Sequence, residues 1–278
     1  MTPSDPDVTI VIVAHSVRHE LEDCLGSIRD HAGEVATETI LVDNASTDDT
    51  VPWVRSEHPG VTVIELDHNP GTGSRHLGIE RARGRYTMII DSDAYLTEGA
   101  LPRMVSALDD NPGWGLVGPK LVNPDGSLQL SCRRWPPLLL PLMRRPPLDR
   151  WLDDSPTVRH HLMADEDHDR TRPVLYVLGA CQVFRSDLAA RAGRFDTRSF
   201  IGPDDIDWCV RIRDAGGEVV YVPDAVVVHA YQRRSRQKVV SMVAARHLRD
   251  FYGLQWRYRS RRRELIRLGK ELDRRSAA

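Results

Sequence analysis

The residues Tyr86-Thr87-Met88-Ile89-Ile90-Asp91-Ser92-Asp93 decide the fold, because an apolar run ends in two carboxylates. The run has the length and composition of a strand that is buried on both faces. Open α/β sheets bind their ligands at the carboxyl ends of such strands. Carboxylates are costly there unless a cation pairs with them, and a hard divalent ion carrying substrate phosphates would do so. A strand that simply ends in an Asx turn is the alternative.

Three further apolar runs precede this strand and alternate with helical patterns. Residues 8–14, 39–42 and 61–66 are short and rich in β-branched side chains. The first helix has apolar residues at 3.6-residue spacing, namely Leu21, Cys24, Leu25 and Ile28. A glycine-led helix is predicted over residues 71–83. This alternation predicts an α/β fold with a doubly wound, mostly parallel sheet.

The second half of the chain is less regular and predicts a mixed arrangement of strands. Residues 121–128 surround a Pro-Asp-Gly turn and predict a hairpin. Residues 133–173 form a long irregular segment rich in proline, arginine and acidic residues, and such segments are usually functional or mobile. Residues 219–222 and 225–228 predict two strands around a Pro-Asp turn. A helical tail is expected to follow.

The composition is that of an ordinary globular chain of 278 residues, 41% hydrophobic and 28% charged. Its four cysteines are single, without a C-x-x-C pair, which indicates reduced thiols in a cytosolic compartment. The acidic N-terminus argues against a secretory signal, and no apolar stretch approaches the roughly 20 residues of a membrane span. We therefore expect a cytoplasmic protein that is soluble or peripheral at the inner face of the plasma membrane.

The net charge of −2 conceals an acidic body and a basic tail. From residue 233 onward the chain has 15 Lys and Arg against 4 Asp and Glu, whereas the first 232 residues have 23 against 36. We expect one domain over residues 1–232, with halves of about 8–118 and 119–232, followed by a basic amphipathic helical tail over 233–278.

Two interpretations of the tail stay open. A basic amphipathic helix is suited to anchoring on anionic lipid. It is equally suited to packing on the preceding domain or on a second subunit of a homodimer. Nucleic-acid binding is not expected, because no recognised module accompanies the charge.

Asp43 ends the second predicted strand, so it is expected near Asp91, where a carboxylate can accept hydrogen bonds from a base or ribose. The dinucleotide-binding fold also has an acid there, but it needs G-x-G-x-x-G after the first strand. Residues 14–18 contain no glycine, and a P-loop is absent, so a nucleotide must bind by another scheme. Gly71 and Arg75 open the glycine-led helix, which indicates either a phosphate-binding neighbourhood or a plain helix start.

Acidic residues and a histidine add candidate chemistry in the second half. Asp204, Asp205 and Asp207 lie at the start of a predicted helix, where acids commonly complement the helix dipole. A carboxylate at the mouth of a pocket would instead suit a general base acting on a hydroxyl proton. His229 closes the last predicted strand. A lone histidine is more often structural, but an imidazole added to Asp93 and a diphosphate would suit Mn2+ or Mg2+.

Together these motifs resemble the family 2 nucleotide-sugar glycosyltransferases of the GT-A fold, over about residues 8–235. Their order and spacing carry the resemblance; the motifs are Val11-Ile12-Val13, residues 41–48, Asn69-Pro70-Gly71, Asp91-Ser92-Asp93, Gly179-Ala180-Cys181, Gly193-Arg194-Phe195-Asp196, residues 204–211 and residues 221–229. Gly118-Pro119-Lys120 with the hairpin after it most resembles the rhamnosyltransferase-like branch.

The resemblance implies a nucleotide and metal site. Asp43 would contact the nucleobase, and Asp91 the ribose or a metal-bound water. Asp93 and His229 would ligate Mn2+ or Mg2+. The remaining nucleotide contacts would come from Ala14, Gly71, Arg75 and Ser92.

The resemblance also implies the catalytic group. Asp205 would be the general base, which deprotonates an acceptor hydroxyl for in-line attack with inversion. Asp204, Asp207 and Trp135 would contact the acceptor or support these groups.

Three departures from the family pattern accompany the matches. Ala14-His15-Ser16 stands where the family often has Asn-Tyr-Asn, and His76 stands in place of an asparagine. The base motif is Asp204-Asp205 rather than Glu-Asp. The changes at Ala14-His15-Ser16 and at His76 bear on the nucleobase and donor-sugar contacts, while the Asp204-Asp205 pair keeps the catalytic base itself.

The function that the resemblance implies is a metal-dependent inverting glycosyltransferase of cell-envelope polysaccharide synthesis. Its donor would be dTDP-rhamnose or a UDP-sugar, and its acceptor the hydroxyl of a glycan or of a lipid-linked precursor. Transfer to a small-molecule or protein acceptor is one alternative. A nucleotide-binding scaffold without catalysis is the other.

Overall fold

The first half of the computed structural model is a parallel sheet with helices between its strands; the structure describes residues 5–197, 199–200, 202–230 and 242–277. The strands are β1 (Val8–Ala14), β2 (Thr37–Asp43), β3 (Thr62–Glu65) and β4 (Tyr86–Asp91). The helices are α1 (Arg18–His31), α2 (Thr50–Glu57) and α3 (Arg75–Ile79). The strands lie in the order β3-β2-β1-β4, all parallel, as the alternation predicts.

The second half extends the same sheet with mixed strand directions. Its strands are β5 (Ala94–Leu96), β6 (Trp114–Val122), β7 (Leu128–Gln129), β9 (Arg172–Pro173), β11 (Cys181–Arg185) and β12 (Glu218–His229). The order continues from β4 through β11, β6 and β12 to β5, with β11 antiparallel to both neighbours. The short strands β8 (Cys132–Arg133) and β10 (Tyr176–Val177) pair separately. The predicted mixed half is confirmed.

Both faces of the sheet are covered, which explains why its central strands are continuous apolar runs. Along β1, Ile10 and Ile12 face a cluster that contains the apolar side of α1. Val11, between them, faces the opposite cluster, which contains residues of α9 (Asp204–Asp214). The two faces of β1 therefore pack into two different hydrophobic cores. The carboxyl ends of the strands lie at the edge of the sheet, between the two layers.

The predicted helix over residues 71–83 is shorter than the sequence pattern suggests. A 3-10 turn covers Thr72–Ser74, and α3 ends at Ile79. The Arg83 amide donates to Thr9 Oγ1 at 3.1 Å and to Glu38 Oε1 at 3.0 Å, so the chain leaves the helix to bond the sheet. Tertiary hydrogen bonds have overridden helix propensity here.

The prediction of two strands around a Pro-Asp turn is wrong. Residues 218–229 are one strand, β12, and both of its halves run parallel to β6. The register shifts between Val222 and Val226, so Pro223 and Asp224 form an irregularity rather than a reversal. Proline has no N–H for the ladder and is tolerated at such a bulge. The hairpin predicted at 121–128 is confirmed, because β7 pairs antiparallel with β6.

The segment predicted to be irregular contains three short helices, α5 (Leu140–Met143), α6 (Asp149–Leu152) and α7 (Pro156–Leu162). The remaining helices of the body are α4 (Ala100–Asp110) and α8 (Ser186–Ala192). No helix in the described ranges is long and apolar enough to cross a bilayer.

The tail forms two helices, α10 (Met242–Arg257) and α11 (Arg262–Ala277), which pack on the body. Leu254, Tyr258 and Leu265 belong to the same buried cluster as α9. Arg257 Nη1 lies 2.7 Å from Asp207 Oδ1. These contacts show the tail packed on the preceding domain, which is one of the two interpretations that the sequence left open. The boundary expected between residues 232 and 233 lies outside the described residues.

Candidate active site

Two carboxylates and one imidazole converge at the carboxyl edge of the sheet. Asp91 is the last residue of β4, Asp93 precedes β5, and His229 is the last residue of β12. The strands β5 and β12 pair with Ala94 opposite His229, and the Ala230 amide donates to the Asp93 carbonyl at 2.8 Å. His229 Nε2 consequently lies 3.4 Å from Asp93 Oδ1 and 3.9 Å from Asp91 Oδ2.

This cluster fits a divalent ion. One candidate ligand atom from each of the three residues lies within 4.8 Å of the others. Carboxylate oxygens and an imidazole nitrogen suit Mn2+, and Mg2+ is also commonly held by carboxylates together with substrate phosphates. Asp91, Asp93 and His229 would hold the ion.

Gln129, which the sequence interpretation missed, orients the imidazole. Its Nε2 donates to the His229 carbonyl and to Asn123 Oδ1, both at 2.6 Å. Because a backbone carbonyl can only accept, the amide orientation is fixed, and Gln129 Oε1 faces His229 Nδ1 at 2.9 Å. Nδ1 must then carry a proton, and Nε2 is directed toward the two acids. No sequence motif marks Gln129, because its place depends on the register of β7.

The ionisation of the cluster follows from burial and from mutual charge. Burial and the Asp93 carboxylate raise the pKa of Asp91, while Arg75 opposes them. Burial acts against protonation of His229, but the carboxylates of Asp93 and Asp91 raise the pKa of His229 overall. Cationic groups are therefore favoured at this edge.

Arg75 joins this cluster to the acids of α9. Its side chain is only 5% exposed, its Nη2 donates to Asp91, and its Nη1 lies 3.4 Å from Asp204 Oδ2. Burial acts against the charge, but Asp91, Asp204 and Asp205 raise the pKa of Arg75. The guanidinium is thus shared between two protein carboxylates, and its expected contact with a donor phosphate stays a prediction.

Asp205 has the setting of a general base. Its carboxylate accepts the Ile206 amide at 2.8 Å and also the Gly179 amide. Burial and the neighbouring Asp204 carboxylate raise the pKa of Asp205 to about 7. A Cβ on Gly179 would lie 3.0 Å from Arg75 Nη1 and 3.3 Å from Asp205 Cβ, so a side chain there would crowd both groups. A carboxylate with a pKa near neutrality is suited to accepting a hydroxyl proton.

The residues expected at the nucleotide are engaged in holding the strand ends together. Both oxygens of Asp43, which is 3% exposed, accept hydrogen bonds from Ser46, and the Ala14 carbonyl accepts the Asn44 amide at 2.8 Å. Gly71 has a φ of +84°, and a Cβ there would lie 1.9 Å from the Phe200 carbonyl oxygen. Their contacts with a nucleotide, like that of the half-buried Ser92, stay predictions.

Asp207 and Trp135 lie beneath the site, against the tail. The Asp207 carboxylate accepts hydrogen bonds from Arg257 at 2.7 Å and from Tyr258 Oη at 2.9 Å, and it forms an ion pair with Arg211, whose Nε lies 2.9 Å away. Trp135 is 6% exposed, and its ring meets Tyr258 edge-on at 5.7 Å. These positions favour support of the neighbouring residues over direct contact with an acceptor.

Arg133 is a second residue that the sequence interpretation missed. In β8 it lies opposite Tyr176, and Asp205 exerts an electrostatic effect on it. Burial lowers the pKa of Arg133. Among the described residues its Nε has no hydrogen-bond partner, while its Nη2 donates to the Leu130 carbonyl at 2.7 Å. A cation that has no carboxylate partner within the described part of the chain, and that lies close to the acids of α9, is a candidate contact for an anionic substrate group.

Comparison with known proteins shows what this chain is similar to. A family model described as glycosyltransferase-like family 2 matches residues 6–253. The N-acetylglucosaminyl-diphospho-decaprenol L-rhamnosyltransferase of Mycobacterium tuberculosis is 28% identical over 251 residues, which cover 86% of this chain and 80% of that protein.

Solved structures share the fold at lower identity. The mannosyltransferase PcManGT of Pyrobaculum calidifontis, in complex with GDP-Man and Mn2+, is 23% identical with a TM-score of 0.56 over 84% of this chain. TarS of S. aureus is 15% identical with a TM-score of 0.59 over 80% of this chain. This chain spans 59% and 60% of those two proteins, respectively. The predicted GT-A fold is confirmed.

Proposed function

The chain belongs to glycosyltransferase family 2, and from that membership we propose that it transfers a sugar from a nucleoside-diphosphate donor to a hydroxyl group with inversion. The observation that carries this proposal is the connection of two clusters through Arg75. Asp91, Asp93 and His229 form one cluster, and Asp204 with Asp205 forms the other. A donor site and a base within one partly buried network are what such a transfer requires.

On the donor side, Asp93 and His229 would hold Mn2+ or Mg2+, with Asp91 as a further ligand or a ribose contact. The bound ion would neutralise the negative charge that develops on the departing diphosphate. Asp43 would contact the nucleobase, and Ala14, Gly71 and Ser92 would line the nucleotide. Arg75 would keep Asp91 ionised and in place, because it is paired with that carboxylate.

On the acceptor side, Asp205 would accept the proton of the attacking hydroxyl. The acceptor oxygen then forms a bond to the anomeric carbon, while the bond from that carbon to the diphosphate oxygen breaks on the opposite face. The proton ends on Asp205, and the electron pair leaves with the nucleoside diphosphate. The pKa of Asp205, about 7, suits this task near neutral pH.

The donor sugar and the acceptor are narrower proposals. The relative from M. tuberculosis is named for L-rhamnose and for a diphospho-decaprenol acceptor, and it is matched along 80% of its length. We therefore favour dTDP-rhamnose, or a UDP-sugar, as the donor and a lipid-linked glycan precursor of the cell envelope as the acceptor. Arg133 would contact the phosphate of such an acceptor. Residues 1–232 would form the catalytic domain.

Donor turnover tests the function directly. With Mn2+ and a panel of nucleotide sugars, slow release of nucleoside diphosphate is expected without an acceptor, and faster release with one. Asp93→Ala should abolish release, whereas Asp205→Asn should retain donor binding, seen as a thermal shift, and lose transfer. Donor binding without turnover for every sugar and acceptor would indicate a nucleotide-binding scaffold. Full transfer by Asp205→Asn would exclude the assigned base.

A further inference from the structure

The segment over residues 138–151, here called the apolar projection, exposes an unusual amount of apolar surface. Ten large hydrophobic side chains are exposed in the described part of the chain, and five of them lie within these 14 residues. The exposed fractions are 42% for Leu138, 60% for Leu139, 45% for Leu142, 40% for Leu148 and 66% for Trp151. Scattered single apolar residues are ordinary on a surface, but a concentrated group marks a binding face.

Buried and hydrogen-bonded residues hold the apolar projection to the rest of the protein. Pro141 is buried, Arg144 Nε bonds Asp153 Oδ1 at 2.6 Å, and Arg145 Nη2 donates to the Ala244 carbonyl at 3.3 Å. Its helices α5 and α6 have four residues each, so each is about 6 Å long. Elements of this length can enter the surface layer of a bilayer without crossing it.

The charge of the apolar projection is one-sided. Residues 138–151 contain three arginines and a single acid, Asp149; because Arg144 is paired with Asp153 outside the segment, Arg145 and Arg150 carry its remaining positive charge. The guanidinium of Arg150 lies 4.9 Å from the ring centre of the exposed Trp151. Tryptophan beside a basic side chain is a typical combination at the headgroup level of a membrane, where the ring enters the interface and the cation meets lipid phosphate.

We propose that the apolar projection docks the protein on an anionic lipid bilayer. The proposal rests on the proposed function, because an enzyme with a lipid-linked acceptor has to meet that acceptor at the membrane surface. It also moves the membrane contact away from the C-terminal tail, whose helices pack on the body through Leu254, Tyr258 and Leu265.

The same charge pattern disfavours a second copy of the chain as the occupant. A two-fold interface places the same patch on both sides, so both partners would present the same net positive charge and repel each other. An anionic bilayer presents the opposite charge instead. Docking here would also bring lipid to the acceptor side of the site, because Arg144 of the projection lies close enough to Arg133 in β8 that, besides burial, its charge lowers the pKa of Arg133.

The chain contains a matched pair of tryptophans for the test. Trp151 is 66% exposed with Arg150 at 4.9 Å, and Trp256 is 69% exposed with Arg259 at 4.2 Å from its ring. Trp256 belongs to the tail helix α10. Substituting each tryptophan therefore removes a similar exposed side chain and separates the projection from the tail.

The experiment is flotation of the full-length protein with phosphatidylcholine vesicles, with and without phosphatidylglycerol, in the absence of donor and metal. Binding is expected only with the anionic lipid and should weaken with salt. Trp151→Ala should lower the partition coefficient, and its combination with Leu139→Ser should lower it roughly tenfold or more, whereas Trp256→Ala should leave it nearly unchanged. In the wild type, anionic vesicles should slow hydrogen exchange within residues 138–151. Circular dichroism and the donor-induced thermal shift establish that the variants are folded.

Three results would overturn the proposal. The first is an absence of wild-type binding to anionic vesicles. The second is a loss of binding in Trp256→Ala that equals or exceeds the loss in Trp151→Ala. The third is a wild-type dimer that the double variant converts to monomer, which would make this face a protein interface. In each case donor turnover with Mn2+, measured in solution, reports separately on the proposed function.

Discussion

At the scale of single residues, the carboxylate of Asp205 has a setting that favours its protonated form. Burial and the Asp204 charge raise the pKa of Asp205 to about 7. A protonated carboxyl group cannot accept the acceptor's proton, so the base is inactive below that pH. We expect kcat/KM for transfer to fall about tenfold per unit as the pH decreases below 7, and to level off above it.

The measurement is a pH profile of kcat/KM at saturating Mn2+. As a control, Asp204→Asn removes the neighbouring negative charge and should move the midpoint to lower pH. A profile that is flat through neutrality in both proteins would contradict the assignment of Asp205.

Gln129 is the residue whose effect on the metal is most specific. Its Oε1 faces His229 Nδ1 at 2.9 Å and thereby directs Nε2 toward Asp93. Replacing it with leucine removes the acceptor and leaves the ring orientation unspecified. Outer partners of ligating histidines typically contribute 10–100-fold in affinity, so we expect Gln129→Leu to weaken Mn2+ binding by about that factor.

Calorimetric titration of Mn2+ without donor measures this affinity independently of turnover. Leu128→Ala is the matched control, because Leu128 is the adjacent residue on β7 and is 39% exposed. Equal affinity in Gln129→Leu and the wild type would show that Gln129 supports only the hairpin.

At the scale of elements, the tail helix α10 stabilises the start of α9 through one buried ion pair. Arg257 bonds Asp207, whose side chain is 2% exposed, and it also bonds Asp196. In Arg257→Ala, the remaining partners of Asp207 among the described residues would be Arg211 and Tyr258. Arg257 is itself 30% exposed, so solvent weakens the ion pair, and we expect its loss to lower the free energy of unfolding by about 1–3 kcal/mol. The thermal midpoint should then fall by several degrees.

A thermal unfolding scan of Arg257→Ala tests this role of the tail. Arg259→Ala is the control, since Arg259 lies over Trp256 and bonds only that residue's carbonyl among the described contacts. Equal midpoints in the two variants would show that the tail does not stabilise the body through Asp207.

The elements also separate what the sequence could predict from what it could not. Strands such as β1 are apolar on both faces because both faces are covered, and that pattern is visible in the sequence. The early end of α3 is set by hydrogen bonds of Arg83 to Thr9 and Glu38, which no local pattern reveals. The sequence likewise does not reveal the roles of Gln129 and Arg133, because these roles depend on the register of the strands that carry them.

At the scale of the whole molecule, the site is assembled from both halves of the chain. His229 reaches Asp93 only because β12 pairs with β5, and Asp204 reaches Asp91 only through Arg75. Residues separated by more than a hundred positions thus share one electrostatic network. The family resemblance predicted most of these residues, but only the fold supplies the connection through Arg75.

This network gives the fold a stability that depends on pH. The folded protein raises the pKa of Asp205 above the ordinary value for an aspartate, so it binds a proton that the unfolded chain releases between about pH 4 and 7. Stability from this group is therefore present at low pH and is lost as the pH rises through about 7. Burial lowers the pKa of His161 and His168, and these groups act in the opposite direction.

Comparing the wild type with Asp205→Asn cancels the contribution of the histidines to the pH dependence, because both proteins contain them. Asparagine at position 205 cannot ionise, so Asp205→Asn should unfold at nearly the wild-type midpoint near pH 5 and at a higher midpoint near pH 8. Each kcal/mol by which the substitution increases the free energy of unfolding would raise the midpoint by about 2–4 °C in a chain of this size. Differential scanning calorimetry without metal, at several pH values, measures the difference. A constant difference across that range would mean that the Asp205 carboxyl is not protonated in the folded protein near neutrality. The same result would remove the basis for a pH limit on catalysis.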